Sequence, residues 1–457
     1  MKTRAYCMLM SLLASGCAAP TFEPSQPHES VGAVPPGWSS IANSQAVQAN
    51  WITQFNDPTL SALVLEAQQH NRELQSLAAR IDQSNALVKQ AGAALLPTAN
   101  LNVSGNRQSD GGLRSNSSAV SLDISWELDL WGRIDSEKKA AQASATAVAA
   151  DYQFAQYSLA AAVARAYFSA IDANIQLAIV QKSEANLERI YKLLNLQNQE
   201  GVASAQDLAV SRSDLATVRS QLASVDGASR DALRALELLL GRYPAADIKI
   251  RDTLPPAPAL PGAGLPSELL ERRPDVIAAE QRVAAAFYSA NAAKAARLPS
   301  LSLTALSGGT ASQLSNLLNR DNRSWSTGAG LLAPLFQGGA LKAQVDNANA
   351  EQKAAIAAYG QTALNAFNDV ESSLDEGSVR LKQEEQLQQA YTNAQEAYRI
   401  ALLRFDEGDI DLFDVLSVQQ RLFEREMELM SVRRAILEQR VNLYLALGGS
   451  WNEGTSE

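Results

Sequence analysis

Few side chains in this 457-residue sequence have the types and the spacing that catalysis or metal binding requires. The only histidines are His28 and His70, and the only cysteines are Cys7 and Cys17. Two isolated histidines are too few for a histidine-rich metal site or for a paired acid and base. No nucleotide-binding loop of the Gly-Lys-Thr kind is present either. We therefore expect no enzyme, no metal site and no cofactor.

Cys17 is the residue whose position predicts a covalent modification. Two basic residues near the N-terminus precede an apolar stretch at 5–13 that is too short to span a bilayer, and the small residues 14–16 lead to the cysteine. This arrangement resembles a bacterial lipoprotein signal, in which the cysteine is acylated and becomes the mature N-terminus. An ordinary signal peptide with an incidental cysteine is the alternative. We expect a signal peptide at 1–16 and a lipidated tether over 17–56.

The composition excludes one class of partners and favours long helices. The formal net charge is −10, and an acidic surface repels phosphate backbones, so we expect no nucleic-acid binding. Aromatic residues make up only 6% of the sequence, whereas alanine is dense in stretches such as 140–150 and 354–358. Such a composition suits helices packed closely side by side rather than one thick globular core.

Aspartates recur at two predicted turns between long helices. Gly201 and Gly408 each end a helical pattern, and Asp207 and Asp414 follow them at the same distance. Asp411 lies three residues before Asp414, so the two side chains share one helix face. In an oligomer with a central axis each would form a ring of carboxylates, which favours cations. Alternatively, these aspartates cap helix N-termini, and both roles can hold together.

The sequence contains an internal duplication at a shift of roughly 205 residues, far longer than a solenoid repeat. The segment GAALLPTANLNVSG at 92–105 corresponds to KAARLPSLSLTALSG at 294–308. We expect duplication of a half-domain, with a first repeat at 57–241, a proline-rich linker at 242–268, a second repeat at 269–449 and a tail at 450–457.

Apolar periodicity predicts a first helix, a strand pair and a long helical hairpin in each repeat. Asp57 and Pro58 provide an N-cap and a favourable first helical residue. From there we expect one helix of about 38 residues, ended by Pro97. A second pattern of about 65 residues, roughly 100 Å long, follows Arg133. No globular core needs a helix of that length, which indicates a coiled-coil-like assembly.

The strand pattern between these helices decides the class of the protein. From Val120 to Leu130, apolar and polar residues alternate strictly over about eleven residues, whereas typical strands have about five or six. Such length and alternation are typical of a tilted membrane strand with lipid on one side and water on the other. We expect strands at about 98–106 and 119–130, joined by a polar loop, and with weaker alternation at about 300–307 and 323–335.

Three tryptophans, Trp126, Trp131 and Trp325, lie near the predicted strand ends. Aromatic residues of membrane barrels gather there, at the two interfaces of the bilayer. A single tryptophan is as often simply packed, so this role is an expectation only.

Closure of the strands predicts an oligomer. The sequence shows no transmembrane helix, so a membrane crossing would use strands, whose open edges cannot face lipid. Four strands per chain cannot close around a pore, whereas three copies would give twelve strands, an even number in the range of outer-membrane barrels. A cyclic homotrimer is the simplest closure.

Five short segments carry a resemblance that covers essentially the whole mature chain. They are WITQFNDPTL at 51–60, WGR at 131–133, LLERRPD at 269–275, FQGG at 336–339 and LALGGSW at 445–451. Together they resemble the signatures of the TolC-like outer-membrane efflux family and, with Cys17, its lipoprotein branch typified by OprM and NodT.

The resemblance implies a fold, a location and partners. The fold would be that of an α+β membrane protein, with a trimeric twelve-stranded outer-membrane β-barrel built from four strands per chain. The barrel would be continuous with a long periplasmic α-helical barrel and an equatorial collar. The partners would be a periplasmic adaptor (membrane fusion) protein and an inner-membrane pump, usually of the resistance-nodulation-division (RND) class. The channel itself would conduct small molecules passively.

In that family the two turns close the periplasmic end of the tunnel and meet the adaptor. Relatives commonly read Asp-Phe-Leu-x-Val-Leu-Asp-Ala-x-Arg at the second turn, whereas this chain has Ser417 for the second aspartate and Gln420 for the arginine. An ionic lock between those two positions is therefore in doubt. Our hypothesis is that Phe413 and Leu416 seal the tunnel while the aspartates set its charge. The gate residues are then Asp207, Asp411, Phe413, Asp414, Leu416 and Ser417, with adaptor docking at Gly201, Val202, Gly408 and Asp409.

Three alternatives stay open on the sequence alone. Arg404 and Arg212 could supply other ionic partners at the turns, although they also fit solvated helix faces. The chain could be a periplasmic coiled-coil scaffold lipoprotein, which the strict alternation at 120–130 disfavours. It could also be an outer-membrane channel for type I protein secretion, which the turn sequence does not exclude. The exported compounds are not encoded here, because the pump usually selects them.

Overall fold

The structure is a computed structural model that describes residues 21–23, 25–40, 50–111, 113–317 and 319–449. Helices and strands follow one plan twice. The first repeat contains α1 Pro58–His70, α2 Arg72–Ala93, β1 Thr98–Asp110, β2 Leu113–Leu128, α3 Arg133–Gln199 and α4 Ala205–Leu239. The second contains α5 Pro266–Arg272, α6 Pro274–Ala295, β3 Ser300–Ala311, β4 Arg323–Leu332, α7 Ala340–Asp406 and α8 Leu412–Ala446.

The residues form two compact units. The first unit comprises the described residues within 1–32, 78–151 and 275–362 and contains the four strands. The second comprises the described residues within 33–77, 152–274 and 363–449 and contains the turns of both helical hairpins.

The first helical segment is broken at Asn71, where the sequence predicted one continuous helix. Asp57 caps α1 as expected, accepting the N–H groups of Thr59 and Leu60 at 3.0 and 3.2 Å. Asn71 then leaves the helical conformation, and its Oδ1 accepts the N–H groups of Glu73 and Leu74 at 3.0 and 3.1 Å. The prediction was wrong because an asparagine can end one helix and cap the next within a single residue.

The four strands form one antiparallel sheet in the order β1-β2-β3-β4. The β1–β2 pairing runs from Thr98 opposite Ser125 to Asp110 opposite Leu113. The predicted polar loop at 105–118 is therefore paired strand at 105–110 and 113–118, with Gly111 in a turn. Its residues, GNRQSDGGLRSNSS at 105–118, carry almost no apolar side chains. Alternation of apolar residues could not reveal these parts of the strands, because backbone hydrogen bonds rather than apolar side chains pair them. β3 likewise continues to Ala311, beyond the predicted end at 307.

One face of the sheet is apolar and exposed. Directly paired residues share a face of an antiparallel sheet, and the pairs on this face include Leu101 with Leu122 and Trp126 with Leu303. Leu101 is 70% exposed in the single chain. The opposite face is polar, with Asn102 bonded to Asp123. The strict alternation predicted for 120–130 is present in β2, whereas β3 and β4 alternate less strictly, with Ser307 and Thr327 on the apolar face.

The second unit holds a buried aromatic core. Trp51 stacks on Tyr444 with ring centroids 5.5 Å apart, and Phe55 packs on Phe168 at 5.2 Å. Asp57 is buried beside this core and accepts hydrogen bonds from the Tyr167 hydroxyl at 3.0 Å and from Arg251 at 3.2 Å. A buried carboxylate needs such partners, because burying it unpaired is costly. Among the residues that the structure describes, no helix is long and apolar enough to cross a membrane.

Candidate functional site at the helical turns and the sheet

The first turn, which we define as residues 197–207, joins α3 to α4. Gly201 adopts a left-handed conformation with φ of +73°, which glycine reaches without steric cost. The N–H of Val202 donates across 2.8 Å to the carbonyl five residues earlier and closes a Schellman motif. Ser204 then begins α4 in a capping box. Its hydroxyl accepts the N–H of Asp207 at 3.1 Å, and the Asp207 carboxylate accepts the N–H of Ser204 at 3.2 Å.

The second turn, residues 404–414, joins α7 to α8 with the same backbone geometry. Gly408 has φ of +79°, and the N–H of Asp409 donates across 2.8 Å to the carbonyl five residues earlier. Asp411 begins α8, and its carboxylate accepts the N–H of Asp414 at 3.0 Å. The duplication therefore extends to the hydrogen bonds of the turns, with Ser204 and Asp411 as equivalent caps.

The two turns differ in the carboxylate that follows the cap. Asp207 returns a hydrogen bond to Ser204, whereas the Asp414 carboxylate makes no hydrogen bond or ion pair with other residues that the structure describes. Asp411, the residue that caps α8 three positions before Asp414, is itself an acid. Two carboxylates repel each other, so Asp414 cannot return the hydrogen bond that Asp207 makes to Ser204. The structure thus shows capping roles for Asp207 and Asp411. A ring of carboxylates at the second turn stays a prediction.

Phe413 and Leu416 are half-buried on the first turns of α8. They line a groove, which we call the turn groove, together with Leu187 of α3 and Val218 of α4. Ser417 lies at the edge of the same groove, exposed, and its hydroxyl donates to the carbonyl of Asp414 at 2.9 Å. The hydrophobic pair proposed as a seal therefore already faces the first hairpin within one chain.

The basic residues near the turns lie in exposed positions. Arg404 lies 4.0 Å from Asp409, with both side chains exposed. Arg212 is exposed and has no ion pair with other described residues. Arg421, which sequence reasoning missed, donates from Nε to the carbonyl of Ser417 at 3.3 Å. Its spacing of four residues from Ser417 was the signal that could have identified it, because such residues are neighbours on a helix.

The three tryptophans lie at two levels of the sheet. The indole N–H of Trp126 donates to the carbonyl of Leu95 at 2.9 Å, and that of Trp131 donates to the carbonyl of Pro299 at 2.7 Å. Both lie at the end of the sheet that leads into helices. Trp325 lies near the start of β4 and is 77% exposed. The register places it in line with Ser307 and Leu122, four residues along the strand from Trp126. The role of these tryptophans as interfacial aromatics stays a prediction.

Cys17 lies outside the described residues, so its lipidation stays a prediction. Described residues of the predicted tether are docked on the second unit. The N–H groups of Ser39 and Ser40 donate to the carboxylate of Glu371 at 2.6 and 3.0 Å. The indole N–H of Trp38 donates to the carbonyl of Gly264 at 3.1 Å. At this point the tether is bound to the protein surface.

Comparison with known proteins places these features in one family. The family model described as outer membrane efflux protein matches residues 63–242 and 265–449. The probable efflux pump outer membrane protein SepC of Pseudomonas putida is 31% identical, with the match covering 100% of this chain and 99% of the relative. The outer membrane protein OprJ of Pseudomonas aeruginosa is also 31% identical, with 98% of this chain and 96% of the relative covered.

Solved structures agree with the sequence relatives. The outer-membrane channel OprN superposes with a TM-score of 0.84 at 27% identity, over 95% of this chain and 99% of OprN. The open state of the MtrE outer membrane channel of Neisseria gonorrhoeae gives a TM-score of 0.82 at 28% identity, over 93% of this chain and 97% of MtrE. The predicted fold class, long helices combined with four strands per chain, is confirmed. The chain belongs to the outer membrane efflux protein family and is an outer-membrane channel component of an efflux system.

Proposed function

We propose that three copies of this chain assemble into a channel through which small toxic molecules pass the outer membrane. The observation that carries the proposal is the four-stranded sheet with one exposed apolar face and one polar face. Its outer strands, β1 and β4, each have one partner within the chain. An unpaired strand edge cannot stand in lipid. Pairing β4 of one copy with β1 of the next satisfies both edges, and three copies give about twelve strands, within the range of membrane barrels.

The same channel would be passive, with its energy supplied by partners. We propose that a periplasmic adaptor meets the two turns at Gly201, Val202, Gly408 and Asp409, and that an inner-membrane pump of the RND class loads the cargo. Relatives are named for toluene efflux, pyoverdine export and antibiotic efflux, and we propose small molecules of this kind as cargo here.

The N-terminus would add a lipid anchor to this assembly. Acylation of Cys17 would place the start of the tether at the inner surface of the outer membrane. The docked segment around Trp38 supports a tether that follows the protein surface. Replacement of Cys17 by Ala should abolish incorporation of radiolabelled palmitate. Incorporation that persists in this variant would contradict the anchor.

Two measurements test the proposal as a whole. The membrane-extracted protein should migrate as a trimer before heating and as a monomer afterwards, and a scaffold without a barrel would show no such shift. A deletion strain should accumulate small dyes and antibiotics, and the wild-type gene should reverse the defect. A strain that keeps its drug tolerance but loses export of a protein substrate would indicate a type I secretion channel instead.

A further inference from the structure

An open apolar cleft lies beside the linker that joins the two repeats. Its volume is about 770 Å³, within the range of roughly 300–1,000 Å³ that is typical of small-molecule sites. Its floor is Ile436 and Leu437 of α8, which are only 2% and 1% exposed. Its walls include Leu254 of the linker and Leu381 of α7, which is 41% exposed. We call this feature the linker cleft.

The walls of the linker cleft are held in shape by proline. Pro255 and Pro256 follow Leu254 in the linker and line the cleft, and each fixes its own φ angle. Pro255 is buried and Ala257, the next lining residue, is exposed. A wall that is already ordered loses little conformational entropy when a ligand binds. The cleft is therefore suited to a rigid apolar body.

Most of the positive charge at the rim is already neutralised. Arg433 lines the cleft, and its Nε donates to Glu384 at 3.0 Å while its Nη2 donates to Gln388 at 2.7 Å. An arginine engaged on both sides in this way offers little to an anionic ligand. The guanidinium also keeps the Glu384 carboxylate from attracting a second cation.

The remaining charge at the rim is negative. Asp252 lines the linker cleft and also an adjoining depression that contains Glu426 and Lys182. The carboxylates of Asp252 and Glu426 make no hydrogen bond or ion pair with other described residues. Two carboxylates against one ammonium leave a net negative charge beside an apolar surface, where charges are less screened than in open water.

We propose that the linker cleft binds an amphiphilic cation. The apolar body lies on Ile436 and Leu437, and the cationic centre lies at the rim between Asp252 and Glu426. Neutral molecules of the same size gain the apolar contact only, and anions are repelled. The site is formed by one linker and three helices of one unit and does not depend on conduction through the channel.

Tetraphenylphosphonium is the probe that tests this assignment, since it combines a rigid apolar body with one positive charge. Isothermal titration of the full assembled protein in lipid nanodiscs, with empty nanodiscs as reference, should show saturable binding at one probe per chain. Ala257→Trp fills the cleft from its exposed wall and should weaken binding at least tenfold. Leu381→Asn, which removes apolar contact at a second exposed wall position without adding charge, should weaken binding as well and keeps the test available if the first variant folds poorly.

The charged rim is tested separately from the apolar floor. The double variant Asp252→Asn with Glu426→Gln should weaken tetraphenylphosphonium about fivefold, the effect of roughly 1 kcal/mol expected for partly exposed charges. Neutral N-phenyl-1-naphthylamine should bind the same variant within twofold of wild type. Asp231→Asn, which removes an exposed carboxylate paired with Arg234 on α4, serves as control. Absence of saturable binding, or binding unchanged by both Ala257→Trp and Leu381→Asn, would overturn the proposal even if the protein conducts normally.

Discussion

Asn71 and Arg273 make equivalent contacts in the two repeats. The Nδ2 of Asn71 donates to the carbonyl of Leu239 at 3.0 Å, and the Nη1 of Arg273 donates to the carbonyl of Ala446 at 3.3 Å. Leu239 and Ala446 are the last residues of α4 and α8, where carbonyl groups lack partners within the helix. In each repeat, the side chain at the break between the first two helices therefore caps the helix that returns from the turn.

Removal of Arg273 should cost more stability than removal of Asn71. The Arg273 side chain also pairs with Asp369 at 2.7 Å and lies 5.8 Å from the ring of Phe154. We expect Arg273→Ala to lower the free energy of unfolding by about 2–3 kcal/mol, since hydrogen bonds of charged groups are the stronger ones. Asn71→Ala should cost about 1 kcal/mol, as for other lost helix caps.

Urea unfolding of the extracted protein, followed by circular dichroism, measures this difference. Arg273→Lys should recover little, because an ammonium group cannot reach two partners in the arginine geometry. Equal losses for the Arg273 and Asn71 variants would contradict the larger role of the arginine.

Gly201 and Gly241 share one conformation but differ in their surroundings. Both have φ of +73°. A Cβ atom at Gly241 would lie 2.5 Å from the carbonyl oxygen of His70, whereas a Cβ at Gly201 would meet nothing within 4 Å. Gly201→Ala should therefore cost about 1 kcal/mol of backbone strain. Gly241→Ala should cost clearly more, since backbone must move as well. Thermal unfolding of the two variants compares them directly, and similar midpoints would show that the clash is relieved cheaply.

Asp414 provides a test of charge at the second turn without a large structural change. Its carboxylate supports no hydrogen bond among the described residues, so Asp414→Asn should change the free energy of unfolding by about 0.5 kcal/mol or less. If three copies place this carboxylate on the pore axis, the variant should lower the preference for cations. Reversal potentials in planar bilayers under a salt gradient give that preference. An unchanged reversal potential would leave Asp414 without a role in selectivity.

Phe413 tests whether the closed state is sealed by apolar packing. Phe413→Ala removes an aromatic ring that lines the turn groove with Leu187 and Val218. We expect a larger closed-state leak in planar bilayers, because no ionic lock between Ser417 and Gln420 is available. Phe336→Ala, which removes an 89% exposed ring in the first unit, is the matched control. A leak equal to wild type would count against the seal.

Glu237 should make stability depend on pH at the acid end. Burial alone would raise the pKa of Glu237, but N–H donors from Ala246, Asp247 and Ile248, at 2.7, 2.8 and 3.1 Å, outweigh burial and lower it. A carboxylate whose pKa is lower in the folded protein than in the unfolded chain stabilises the fold at pH values above the unfolded pKa, which is about 4.3 for glutamate. This stability is lost as pH falls through the lower folded pKa.

The matching experiment compares unfolding midpoints of wild type and Glu237→Gln between neutral pH and pH 3. The variant should be less stable at neutral pH, and the difference should shrink as the pH falls. A difference that stays constant over this range would assign the effect of Glu237 to packing alone.

Local patterns in the sequence predicted much of the fold. Strict alternation from Val120 to Leu130 identified the strand, and the glycines at 201 and 408 identified the turns, because both signals depend on neighbouring residues. Apolar periodicity did not reveal the paired segments 105–110 and 113–118, whose polar side chains leave no apolar period. It also did not reveal the helix break at Asn71, which interrupts the apolar stripe for one residue only.

The sequence predicted the candidate site only in part. The sequence by itself determined the duplication and identified Asp207 and Asp411 as candidate capping residues. Only the tertiary structure decided that Phe413 faces α3 and α4 and that Arg273 caps α8. Those contacts join residues far apart in the chain, and their energy depends on packing geometry that no local periodicity specifies.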